Sequence, residues 1–74
     1  MITPLCTLTY GTQAKIKKIN GGLKLIKRLN EMGLTIGTTI KVVSDSCGGP
    51  VLIEVRDSRL AIGRGVSTKI YVEE

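Results

Sequence analysis

The chain has 74 residues, 42% of them hydrophobic and 23% charged, with a net charge of +5. That length allows one domain and leaves little room for a deep pocket beside a core, and the composition argues against disorder. Aromatic residues are nearly absent, with only Tyr10 and Tyr71, so the core has to be built from Ile, Leu and Val.

Taken in chain order, Thr3-Pro4-Leu5 reads as an extended arm, since Pro4 has no N–H and disfavours helix at Thr3. Residues 13–19 read as a strand, with Ala14 and Ile16 on one face and Lys15 and Lys17 on the other. The alternation slips at Lys18 and Ile19, which predicts a bend or bulge there. Asn20-Gly21-Gly22 breaks the strand. Residues 23–32 follow a helical period, with Leu25, Ile26, Leu29 and Met32 as one apolar stripe and Lys24, Lys27, Arg28 and Glu31 off it. Lys27 and Glu31 stand four apart and can pair across one turn.

Gly33 is placed to end the helix in a left-handed conformation, with Leu34 folding back on the last turn. Thr35-Ile36-Gly37 then reads as a turn. Thr38 to Val43 is β-branched at five of six positions and predicts a strand. Residues 44–50 are rich in turn formers and predict a loop. Val51 to Arg56 is the next strand, with Val51, Ile53 and Val55 on one face. Asp57-Ser58 is a tight turn and Arg59 to Ile62 a short strand. Residues 63–67 form a glycine-bearing connection with room for one helical turn. Lys69 to Val72 closes the series, with Ile70 and Val72 inward. Strands this short cover their edges best by curling, so the expected fold is all-β with one short helix, a small five- to six-stranded antiparallel barrel capped by that helix. Residues 1–74 are expected to form one domain.

The inventory of reactive residues is short. There is no histidine, which excludes nucleophile–histidine catalysis and imidazole metal ligands. The acids Glu31, Asp45, Glu54, Asp57, Glu73 and Glu74 are scattered, and Glu54 and Asp57 read as surface carboxylates near Arg56 and Arg59. Cys6 and Cys47 are too few for a disulfide framework, and no signal-peptide pattern precedes them, so both are expected as free thiols in a reducing compartment. Two thiols fall short of the three or four ligands of a stable zinc site, and an Fe(II) contact through Cys47 and Asp45 has no further support. Cys6, among apolar neighbours, reads as core filling. Gly21-Gly22 resembles half of a phosphate cradle, but the lysine-hydroxyl tail of a P-loop is missing. No enzyme and no cofactor is expected. No apolar run reaches the ~18–20 residues that span a membrane.

Charge is the remaining signal. Lys15, Lys17, Lys18, Lys24, Lys27 and Arg28 all precede the first acid, Glu31. Such a stripe suits phosphates, anionic lipid heads or an acidic protein face, or serves simply as a solvated surface. No aromatic residues interleave with it, which weighs against nucleic acid.

The ordered set Met32-Gly33-Leu34, Ile36-Gly37, the Gly48-Gly49-Pro50 loop, Val51–Arg56 and Arg59–Arg64 resembles the ferrous iron transport protein A (FeoA) family, over roughly residues 7–72. Ile36 stands where proline is frequent in that family. The resemblance implies an SH3-like barrel and a cytosolic accessory role beside the large membrane transporter FeoB, reaching the membrane only through that partner. It also implies an association with transition-metal ions, for which these residues display no ligand set. On this reading the partner-contact residues are Lys24, Lys27, Arg28, Met32 and Leu34, together with a groove beside the 44–50 loop. The alternative reading is a stand-alone regulatory or RNA-binding module, since the resemblance extends to the C-terminal domain of iron-dependent repressors.

Overall fold

The computed structural model describes residues 1–44 and 49–74. Six strands form one sheet: β1 (Ile2–Pro4), β2 (Gln13–Ile19), β3 (Thr39–Ser44), β4 (Val51–Val55), β5 (Ser58–Ile62) and β6 (Ile70–Glu73), in the order β1-β6-β2-β3-β4-β5. Every neighbouring pair is antiparallel. Helix α1 (Leu23–Glu31) joins β2 to β3, a one-turn helix α2 (Arg64–Ser67) joins β5 to β6, and a 3-10 turn covers Leu5–Thr7.

A flat sheet of this width would be a thin plate, because strands lie only ~4.8 Å apart. The molecule instead measures 28 × 26 × 23 Å, nearly equal in all directions, so the sheet is rolled. One face turns inward throughout. Ala14, Ile16, Ile40, Val42, Val51, Ile53, Val55, Ile62, Ile70 and Val72 meet in a single apolar cluster, joined by Leu5, Leu8, Ile19, Leu29 and Leu34. The expected all-β barrel with one short helix is therefore the observed fold. Among the described residues no ladder joins β1 to β5, so the roll stays open along that seam.

The slip in alternation at Lys18 is a register shift between β2 and β6, falling between Ile16 and Lys18. It lets Lys17 and Lys18 both face solvent and returns Ile19 to the core. The first residues differ from expectation. The extended arm expected over Thr3-Pro4-Leu5 is part of an edge strand, with Ile2, Thr3 and Pro4 paired to Glu73, Val72 and Tyr71, and Leu5 opens the 3-10 turn instead. Proline is tolerated there because an edge strand leaves half its N–H groups outside the ladder. Cys6 is a half-buried free thiol rather than a core residue, and its neighbour Leu5 fills the core instead. The readings of Asp45 and Cys47, and most of the loop that holds them, lie outside the described residues.

Candidate functional site

Helix α1 starts without a side-chain cap at Gly22 and ends in a complete glycine cap. The Leu34 N–H donates to the Leu29 carbonyl at 2.9 Å, and the Gly33 N–H to the Asn30 carbonyl at 3.0 Å. These are the two bonds of a Schellman motif, and they require the left-handed Gly33, whose φ is +94°. Four residues on, the Thr38 N–H donates to the Thr35 carbonyl at 3.1 Å across a turn with Gly37 at φ +95°. Positive φ at the third turn position alone defines a type II turn, for which glycine is the natural occupant. The Gly37 N–H also donates to the Ile16 carbonyl at 2.7 Å, which ties this corner to β2.

This corner fixes which helix residues face out. Leu29 is buried, and Leu25 and Ile26 are half-buried against the core. Lys24, Lys27, Arg28 and Glu31 form the exposed crest. Met32 is 41% exposed and Leu23 85% exposed. Among the described residues, Lys24, Lys27 and Arg28 make no salt bridge, and the expected Lys27–Glu31 pair does not close. Leu34 departs from the expected contact set. Its side chain is 0% exposed, because the Schellman bond swings the chain back and drives Leu34 into the core against Leu29. It shapes the surface from beneath and cannot touch a partner.

A shallow groove of about 110 Å³ runs along one side of the crest, lined by Leu25, Arg28, Met32, Ala61, Gly63 and Val66. It joins α1 to the end of β5 and the start of α2. The groove expected beside the 44–50 loop falls on a segment largely outside the described residues. Ala61, Gly63 and Val66 carried no sequence signal for a site, because only the tertiary fold brings them into one groove with Arg28.

The remaining early cations belong to another surface. Lys15, Lys17 and Lys18 lie on the outer face of β2. Lys17 pairs with Glu73 at 3.6 Å, and the Glu73 carboxylate also meets the Met1 amino group at 3.5 Å. On β4 and β5, Arg59 Nε stands 3.8 Å from a Glu54 carboxylate oxygen. The outer sheet face is thus a mixed-charge surface, and among the described residues Lys15 and Lys18 on it make no salt bridge, as Lys24, Lys27 and Arg28 on the helix crest make none. Among the described residues no three His, Cys, Asp or Glu side chains cluster in a way that could hold a metal ion. No described helix is long and apolar enough to cross a membrane.

The arrangement is a familiar one. A crystal structure of an iron uptake regulatory protein, FeoA, superposes with a TM-score of 0.92 at 36% identity, covering 99% of this chain and 97% of that one. A manganese-dependent transcriptional repressor shares the fold over 41% of its own length, with a TM-score of 0.89 at 12% identity. A protein of Methanocaldococcus jannaschii described as a candidate Fe(2+) transport protein A is 41% identical over 71 residues, spanning 96% of this chain and 85% of the relative. The FeoA domain model matches residues 3–74. By its SH3-like barrel and by these likenesses, the chain belongs to the FeoA family.

Proposed function

We propose that this chain is a non-catalytic docking module of ferrous iron transport, acting at the cytoplasmic face of the membrane on the cytoplasmic region of a FeoB-type transporter. The observation that carries the reading is the α1 crest. Lys24, Lys27 and Arg28 are exposed and make no salt bridge among the described residues, and Arg28 lines a groove to which Met32 adds an apolar wall. Cations left without internal partners steer an acidic surface into place, and the apolar strip beside them supplies desolvated contact. The 41% identical Fe(2+) transport relative supports the choice of system. Iron in this reading is the transporter's cargo.

The test is retention. The chain is immobilised and challenged at low salt with the transporter's cytoplasmic region and with the full transporter in detergent. Retention that weakens as salt rises is expected, since the crest acts through charge. If neither form is retained even at low salt, the proposal fails.

A further inference from the structure

Strand β5 ends the sheet, and among the described residues its outer edge carries no ladder. The hairpin register says which groups lie on that edge. Only Arg56 and Asp57 separate β4 from β5, so Val55 and Ser58 form the hydrogen-bonded pair that closes the turn. Bonded and non-bonded pairs then alternate. Leu60 and Ile62 bond back to Ile53 and Val51, while Arg59 and Ala61 turn their N–H and C=O groups away from β4. No other described backbone group meets them.

This open edge borders the apolar groove. Ala61 lines it together with Leu25 and Arg28 of α1 and with Met32, the residue that caps that helix. Its charge is one-sided. Among the described residues Arg28 lines the groove and no carboxylate does, while exposed Arg59 lies two residues from Ala61 on β5. The contact between Arg59 and Glu54 is 3.8 Å long between solvated side chains and yields readily.

From these features we infer that the groove takes an extended acidic peptide segment of the partner, added as a further strand along Arg59–Ala61. The proposal deepens the docking reading above and rests on it. Main-chain bonds to Arg59 and Ala61 hold the segment, and its alternate side chains point the same way. One set of side chains covers Leu25, Met32 and Val66. Carboxylates at neighbouring positions meet Arg28 and Arg59.

The test uses two capped peptides, Ser-Val-Glu-Val-Glu-Ser and its counterpart with Lys in place of Glu, titrated into the ¹⁵N-labelled full chain. The acidic peptide is expected to shift the amides of Arg59, Ala61, Gly63, Arg28 and Met32 and to slow hydrogen exchange at Arg59 and Ala61. Arg28→Glu is expected to weaken it at least about tenfold by placing like charges together. Ala61→Pro removes an N–H that the β4 ladder does not use, so the variant should fold yet lose the peptide. Equal binding of the basic peptide, shifts confined to other surfaces, or unchanged affinity in both folded variants would overturn the inference. Shifts that follow the chain's own concentration instead would name a second copy as occupant and overturn it too. The same variants in the retention assay separate the two claims. Full retention of Arg28→Glu and Ala61→Pro by the transporter region removes the groove and leaves docking standing, whereas no retention of the wild-type chain removes docking.

Discussion

One substitution made at two glycines should move stability in opposite directions. Gly33 sits at φ +94°, and a Cβ built there meets nothing within 4 Å. Gly33→Ala therefore creates no clash, and its whole cost is backbone strain. Holding an L-residue in a left-handed conformation costs about 1–2 kcal/mol. Gly65 lies inside α2 without a positive φ, is exposed, and also has open space around its Cβ position. Gly65→Ala should stabilise by about 0.4–1 kcal/mol, because it removes freedom from the unfolded chain. A domain of 74 residues holds roughly 4–11 kcal/mol in total. At ~4–8 °C per kcal/mol, Gly33→Ala should lower Tm by roughly 4–16 °C and Gly65→Ala should raise it by a few degrees. Thermal unfolding by circular dichroism reads both. Shifts of the same sign, or a neutral Gly33→Ala, would refute the claim that the Schellman cap fixes this corner.

Three further outcomes follow from the same corner and crest. Leu34→Ala empties a fully buried site and should cost about 2–5 kcal/mol, measured by urea unfolding. Ile36→Pro places proline at the second position of the type II turn, where the Ile36 side chain is 61% exposed and its N–H makes no backbone bond among the described residues; stability should rise by about 0.4–1 kcal/mol in the same assay. The combined Lys24→Glu, Lys27→Glu and Arg28→Glu variant should unfold within about 1 kcal/mol of the wild type while losing retention by the transporter region. An acid at the helix start is favourable and one in the last turn is not, so the changes at positions 24 and 28 offset.

Much of this was legible because local rules act over a few residues. The bulge in β2 announced itself when Lys18 and Ile19 broke the alternation. The end of α1 was written in Gly33 and Leu34, and the α2 turn in the stretch from Gly63 to Ser67. What failed depended on distance along the chain. Thr3-Pro4-Leu5 read only as an extended arm because the partners of Ile2–Pro4, Tyr71 to Glu73, are almost a chain length away. Leu34 was expected both to fold back on the last turn and to contact a partner, and the first excludes the second. The bond it makes to the Leu29 carbonyl reverses the chain and turns it inward. Of the expected contact residues, Lys24, Lys27, Arg28 and Met32 are exposed. The groove beside them could not be read from spacing. It exists only because Ala61, Gly63 and Val66 arrive from the far end of the sheet. The Lys27–Glu31 pair had the right spacing and still does not form, as expected where solvent competes for both charges.

The central claim is that the α1 crest docks the chain on its transporter. Isothermal titration of the transporter's cytoplasmic region with the wild-type chain and with the Lys24→Glu, Lys27→Glu, Arg28→Glu variant tests it most directly. The expected result is saturable binding by the wild type, weakened by salt, with the variant at least about tenfold weaker, a difference of ~1.4 kcal/mol or more. Equal affinity of the two folded proteins, or no heat of binding by the wild type at low salt, would contradict it.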